Sequence, residues 1–307
     1  MQLGFVTAIF PNWSLEQVLA FAQAERYDCI EVMCWPQGGS DRKYGGVTHL
    51  DVADFPQSAA DDARGKCEKY GVKFSALGYY PNILSPNREE GEVAIAQLKR
   101  VIEAAPKLGL KNVNTFIGND YTQPFDHNFA RFREVWPGLI RFAEERGVYI
   151  GIENCPMLFS RDEWPGGKNL ARSPEIWRQM FEAIPSDHFG LNYDPSHFVM
   201  QMMDPIAPLT EFKHKLFHLH AKDMRIDRRR LDQRGVFSLP PGWCTPKIPG
   251  LGDVNWNSFF SALTDAGYGG PVCVEVEDDS YCHNDELRKQ SLRVSRNVLR
   301  PLMGDAL

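Results

Sequence analysis

The chain has 307 residues, 43% of them apolar and 24% charged, and a net charge of −6. That composition belongs to a globular protein and excludes a disordered one, and no apolar run approaches the roughly 20 residues needed to cross a bilayer. An acidic chain with both signs interspersed binds phosphate backbones poorly, so nucleic acid is not an expected partner. The one dense basic run, residues 225–230, is followed by Asp232.

The opening residues Met1-Gln2-Leu3-Gly4-Phe5-Val6 put no basic region ahead of an apolar stretch, so a first strand is expected there rather than a cleaved leader. Residues 3–7 form that strand, and residues 14–25 a helix capped by Ser14 with Leu15, Val18, Leu19 and Ala22 on one face. A second strand at 29–33 precedes a helix at 57–70 closed by Gly71, and a third at 72–77 precedes a helix at 89–108 that ends at Gly109. A fourth strand, 112–116, leads to a helix at 128–146 stopped by Gly147. A fifth, 148–152, leads to a helix at 174–183 entered from Ser173. Strands at 189–193, 216–219 and 272–276 follow, with a last helix at 286–302. Strands alternating with helices imply parallel βαβ units, and eight of them fit a closed (β/α)8 TIM barrel of about 250 residues plus insertions. No linker or low-complexity segment interrupts the pattern, so one domain covering 1–307 is expected. Seven cysteines without CxxC spacing, several inside apolar runs, read as buried thiols of a cytoplasmic protein.

In such barrels the chemistry sits where the strands end. The fifth strand runs into Glu153-Asn154 and the sixth into Asp194-Pro195-Ser196-His197. The seventh carries His218-Leu219-His220-Ala221-Lys222-Asp223, and the eighth Glu275-Val276-Glu277-Asp278. Four successive strands thus deliver a carboxylate or an imidazole to one edge. Each taken singly reads equally as a helix cap or a buried ion pair. Together they suit a hard or borderline dication, because buried carboxylates need a compensating charge. His218 reads as a second inward group or a satisfied core histidine. Lys222 and Asp223 read as substrate contacts or as a surface ion pair. Trp35, Tyr79, Tyr80, Phe116 and Trp164 follow strands and are candidate cavity walls, with ordinary packing as the alternative. The long segment 225–247, with Pro240-Pro241-Gly242-Trp243, is a candidate lid or subunit contact, and Arg225 either reaches a substrate hydroxyl or is solvated.

These segments resemble the xylose isomerase-like TIM barrels, a group that includes sugar epimerases, inositol-catabolism enzymes and endonuclease IV. The likeness spans nearly the whole chain and rests on Gly151-Ile152-Glu153-Asn154, Asn192-Tyr193-Asp194-Pro195-Ser196-His197, His218 to Asp223, and Val274 to Asp278. Gly78-Tyr79-Tyr80-Pro81-Asn82, residues 162–170 and residues 249–256 are similar to members described only as sugar phosphate isomerase/epimerase. The resemblance implies one divalent metal ion, with manganese first and magnesium, cobalt or zinc as alternatives. It implies Glu153, Asp194, His220 and Glu275 as ligands, and His197 as a substrate contact, as in the ketose 3-epimerases.

The implied activity is a sugar isomerase or epimerase on a small carbohydrate, in which a proton leaves the carbon beside a metal-polarised carbonyl through an enediolate. Glu153 and Glu275 are the expected proton carriers. Trp35, Tyr79, Lys222, Asp223 and Arg225 complete the expected substrate contacts. Pro165-Gly166-Gly167-Lys168 lacks Walker spacing, so no phosphate cradle is evident. Three rivals remain: a lyase or hydrolase of 3-keto-glycosides using the same ion, an abasic-site endonuclease, and a silent accessory subunit. The group's habits also allow a homo-oligomer.

Overall fold

A computed structural model describes residues 1–38 and 45–304. In chain order the elements are β1 (Gln2–Val6), α1 (Leu15–Ala24), β2 (Cys29–Met33), α2 (Gln57–Tyr70), β3 (Lys73–Gly78), α3 (Arg88–Lys107), β4 (Asn112–Thr115) and α4 (Phe125–Glu144). There follow β5 (Tyr149–Glu153), α5 (Pro174–Ala183), β6 (Phe189–Tyr193), α6 (Ser196–Met200), α7 (Ala207–Glu211) and β7 (Leu216–Ala221). The last are β8 (Asp223–Ile226), α8 (Arg228–Arg234), β9 (Cys244–Lys247), α9 (Trp256–Asp265), β10 (Pro271–Val274) and α10 (Asp285–Leu299). Eight parallel strands close a barrel in the order β1-β10-β7-β6-β5-β4-β3-β2, as the alternating pattern predicts.

Local chemistry sets the boundaries. Ser14 accepts from the Gln17 amide while Gln17 reaches back to the Ser14 amide, a reciprocal cap that starts α1. Gly71 closes α2 at φ +64°, a left-handed conformation that a side chain would strain. One expected cap and one expected helix start differ. Ser173 makes no side-chain cap, and α5 begins on Pro174, whose missing N–H costs nothing in the first turn. Helix α4 begins at Phe125, ahead of the expected 128, because Asn128 is not a cap: its amide donates to the Asp120 carbonyl and accepts from the Asp120 N–H, tying the preceding loop to the first turn.

Outward side chains of the strands, such as Phe5, Ile30, Val113, Ile152, Phe189 and Leu219, are buried under the helices. Phe189 stacks on Phe132 and Trp136 of α4, with ring centroids 6.2 and 6.3 Å away. The segment expected to be a long loop is instead an antiparallel hairpin, β8 against β9, pairing Asp223 with Lys247 and Ile226 with Cys244. Its Trp243 packs with Met224, Ile226, Leu231 and Cys244 in a small core of its own, so it anchors the hairpin rather than covering the cavity. The hairpin reaches the cavity wall through Thr245 and Pro246.

Candidate metal centre and cavity

Strand parity decides which side chains enter the barrel. Along β7 the residues His218, His220 and Lys222 alternate inward, and all three are at most 1% exposed. Glu153 ends β5, Asp194 follows β6 and Glu275 follows β10, so each turns inward at the same rim. The donor atoms of Glu153, Asp194, His220 and Glu275 lie within 4.8 Å of one another. His220 Nδ1 is 3.4 Å from Glu153 Oε1 and 3.7 Å from Glu275 Oε2. His197 Nε2 stands 3.2 Å from Asp194 Oδ2 and 3.4 Å from Glu153 Oε1.

The hydrogen bonds of this cluster leave a telling remainder. Glu153 Oε1, Asp194 Oδ2 and His220 Nδ1 are buried without a hydrogen-bond partner, and all three face the same point. Buried polar atoms are nearly always hydrogen-bonded; these three are not, although His197 Nε2 and Lys222 Nζ each lie 3.2 Å from Asp194 Oδ2, and their convergence from three strands fits a cation held among them. Asn154 holds the other side of the Asp194 segment: its amide donates to the Asp194 carbonyl and its oxygen accepts from the Asp194 N–H.

Lys222 brings a cation of the chain's own. Its Nζ lies 2.6 Å from Glu275 Oε2, 3.1 Å from Glu277 Oε2, 3.2 Å from Asp194 Oδ2 and 4.0 Å from Glu153 Oε1. Burial would raise the Glu153 carboxyl, yet His220, His197 and Lys222 outweigh it and hold the group well below the usual carboxylate range. Glu275 goes the other way, pushed up to about 7 by burial and by Glu153 and Glu277, against the pull of Lys222 and His220. Two carboxyls on one rim therefore differ sharply in proton affinity.

The cluster opens into a cavity of ≈ 560 Å³ whose opposite wall is formed by Val6, Met33, Trp35, Tyr80 and Phe116. Trp35 and Lys222, expected as substrate contacts, line this cavity, and His197 is buried against two of the cluster's acids. Three other expectations need correction. Tyr79 points away from this cavity and packs edge-on to Trp35 at 5.0 Å, because Gly78 and Tyr80 take the inward positions at the end of β3. Asp223, one residue past inward Lys222, faces outward. Its carboxylate accepts from the N–H groups of Met224, Gly250 and Val254 and from Trp256 Nε1, so it ties the hairpin to α9 and does not line the cavity. Arg225 is exposed on β8, outside the cavity lining. Of the other aromatic candidates, Tyr80 and Phe116 line the cavity and Trp164 does not.

Sequence reasoning missed Glu31. It is fully buried, accepts from the Tyr80 hydroxyl, and stands 2.7 Å from His220 Nε2. The signal was there: a carboxylate in the middle of Cys29-Ile30-Glu31-Val32-Met33, otherwise an apolar strand, needs a partner inside the barrel.

A barrel of this topology with an acid-and-histidine rim defines a class, and the comparison with known proteins names it. The family model described as xylose isomerase-like TIM barrel matches residues 19–298, and the chain belongs to that family. The uncharacterized protein YfiH of Bacillus subtilis is 26% identical over 300 residues, 91% of this chain and 93% of that protein. An inosose dehydratase of Clostridium tetani is 32% identical over 166 residues, 53% of this chain and 54% of that enzyme. Among solved structures, the IolI protein with a bound zinc atom superposes with TM-score 0.71 at 20% identity, covering 99% of this chain and 100% of that one. D-psicose 3-epimerase with D-tagatose from Clostridium cellulolyticum H10 gives 0.67 at 16% identity, covering 97% and 99%. At such identities the structural likeness is one of fold. Among the described residues no helix is long and apolar enough to cross a membrane.

Proposed function

We propose that this chain is a metal-dependent isomerase or epimerase of a small carbohydrate, with Glu153 and Glu275 carrying the proton. The observation that carries the reading is the convergence, beneath a cavity with apolar walls, of Glu153, Asp194 and His220 atoms that make no hydrogen bond. Glu153, Asp194, His220 and Glu275 would hold one dication, manganese by preference, although mixed oxygen and nitrogen donors also suit magnesium, cobalt or zinc. That ion would supply Lewis-acid polarisation of a substrate carbonyl.

The rest falls to the chain's own groups. Glu153 and Glu275 would take the proton from the carbon beside the carbonyl and return it. Delivery from different strands, β5 and the end of β10, lets the two reach different faces of a sugar, as inversion at carbon requires. Lys222 and His197 are donors beside the acids, placed to bind substrate oxygens as charge develops. Trp35, Tyr80 and Phe116 give the sugar's C–H face a surface to lie on and keep water out.

A second reading is supported by the partial likeness to inosose dehydratases. In a lyase the same proton abstraction is followed by loss of a leaving group from the next carbon, whether hydroxide or the aglycone of a 3-keto-glycoside. Incubation with manganese in D2O, using ketoses, inososes and 3-keto-glycosides, separates the two. An epimerase or isomerase washes deuterium into a retained carbon skeleton, whereas a lyase releases water or an aglycone. If no member of the panel exchanges a C–H proton, the carbohydrate reading is overturned.

A further inference from the structure

The barrel contains a second acid-and-histidine group, Glu31, His218 and His220, directly beneath the candidate metal centre. It differs in one respect: its side-chain atoms are already engaged. Glu31 Oε1 accepts from the Tyr80 hydroxyl, and Glu31 Oε2 is 2.7 Å from His220 Nε2. His218 Nδ1 is 3.0 Å from Asn192 Oδ1, and His218 Nε2 is 3.0 Å from the Ser75 hydroxyl. The Asn192 amide donates to Tyr80 Oη at 3.0 Å. A group so fully paired is not a second ion site. It is a polar scaffold.

The direction of each bond can be worked out. The Tyr80 hydroxyl donates to Glu31 Oε1, and Glu31 Oε2 faces His220 Nε2, so both carboxylate oxygens are placed to accept. A ring nitrogen 2.7 Å from a carboxylate oxygen must carry the proton between them, since two lone pairs would repel at that distance. The Asn192 amide lies 3.1 Å from the same nitrogen and would favour the other tautomer by donating to it, but it is a neutral donor at longer range. Glu31 wins. With the proton on Nε2, the Nδ1 lone pair faces Glu153 and Glu275, and Nδ1 is the His220 atom left without a partner.

We propose that Glu31 is the positioning residue that fixes His220 with its proton on Nε2 and so presents Nδ1 as the metal-ligating atom. This rests on the metal centre described above. Carboxylates that orient a ligating histidine raise its basicity and lock the ring, and their loss typically lowers metal affinity about 10–100-fold. Asn192 and Tyr80 sharpen the expectation: in Glu31→Leu they are the partners left to Nε2, at 3.1 and 3.3 Å, and by donating to it they drive the proton to Nδ1 and close the ligand.

The test is calorimetric titration of the metal-stripped protein with manganese chloride, comparing wild type, Glu31→Leu and Glu31→Gln. The expected result is a loss of about 10–100-fold for Glu31→Leu. Glu31→Gln, which keeps an acceptor oxygen and the shape but not the charge, recovers most of it. Cobalt absorption spectra should change in Glu31→Leu and resemble wild type in Glu31→Gln, which a merely structural role would not produce. Imidazole ¹⁵N spectra of the zinc-loaded wild type, assigned with His220→Asn, should place the proton on Nε2. Should Glu31→Leu fail to fold, that nitrogen assignment and the Glu31→Gln affinity decide. Wild-type affinity in both variants, or a proton found on Nδ1, overturns the proposal while leaving the metal centre standing. A wild-type chain that takes up no manganese overturns both.

Discussion

The two halves of the barrel rim are built from opposite chemistry. Strands β5, β6, β7 and β10 end in Glu153, Asp194, His220 with Lys222, and Glu275, whereas the rim above β1 to β4 presents Val6, Met33, Trp35, Tyr80 and Phe116. One half holds charge; the other shapes the space in front of it and keeps the local dielectric low, which strengthens every interaction across the cavity. Glu31 is the exception that joins them, a carboxylate from the apolar half whose partner is a histidine from the charged half. The lesson is that neither half works alone: charge without walls would be solvated, and walls without charge would only bind.

The largest effects should come from removing a proposed proton carrier from the charged half. Glu153→Gln and Glu275→Gln are each expected to lower turnover about 10²–10⁴-fold on the substrate found by the deuterium-exchange screen, with folding intact by circular dichroism. Full turnover in both variants would show that the split between the two glutamates has no bearing on the chemistry.

Next in size is Lys222→Met. Removing a buried cation from among four carboxylates leaves uncompensated charge, which typically costs about 3–5 kcal/mol. Thermal melts in EDTA should show a large loss, and added manganese should restore more stability to the variant than to the wild type, because a dication can replace the missing ammonium. An unchanged melting temperature in EDTA would mean that Lys222 is not the counterion of the charged half.

How far the site can be read from sequence follows from the same division. The charged rim was legible because each residue stands at a strand end, where barrel topology alone sends it inward: Glu153, Asp194 and His220 needed only the strand assignments. The hairpin of β8 and β9 was not, since its pairing of residue 223 with residue 247 is a tertiary fact that no local periodicity announces. Tyr79 and Asp223 were misplaced for one reason. Each neighbours an inward residue, and a one-position change of parity reverses the face. Helices α6, α7, α8 and α9 are not evident from periodicity either: the first three have five, five and seven residues, and α9 is recognised chiefly by Asn255, which accepts from the Ser258 amide.

Asp223 supplies the third prediction. As a substrate contact, its change to Asn would raise KM. As the anchor of hairpin and α9, the same change turns an amide N–H₂ toward N–H donors and costs about 1–3 kcal/mol per orphaned donor. Asp223→Asn should therefore melt earlier while KM and turnover per folded molecule stay at wild-type values. A raised KM at unchanged stability would return the residue to the cavity.

The smallest effect separates the histidines of the two halves. Burial would strip the proton from His197, but Cys155 and Asp194 beside it hold it well above the ordinary value. His49, in the loop after β2, has no such neighbours among the described residues, and burial lowers it, with the Phe10 carbonyl 3.0 Å from Nε2 only partly opposing. A histidine whose folded value lies below its unfolded one binds fewer protons when folded. Its stabilising contribution is therefore complete above about pH 6.5 and is lost as pH falls from there toward the lowered value. Gln at this position can donate to the same carbonyl and does not titrate. Thermal melts of wild type and His49→Gln between about pH 7.5 and 5 should thus converge as the solution is acidified, the wild type losing more. A difference that stays constant with pH would mean that folding leaves the proton affinity of His49 unchanged.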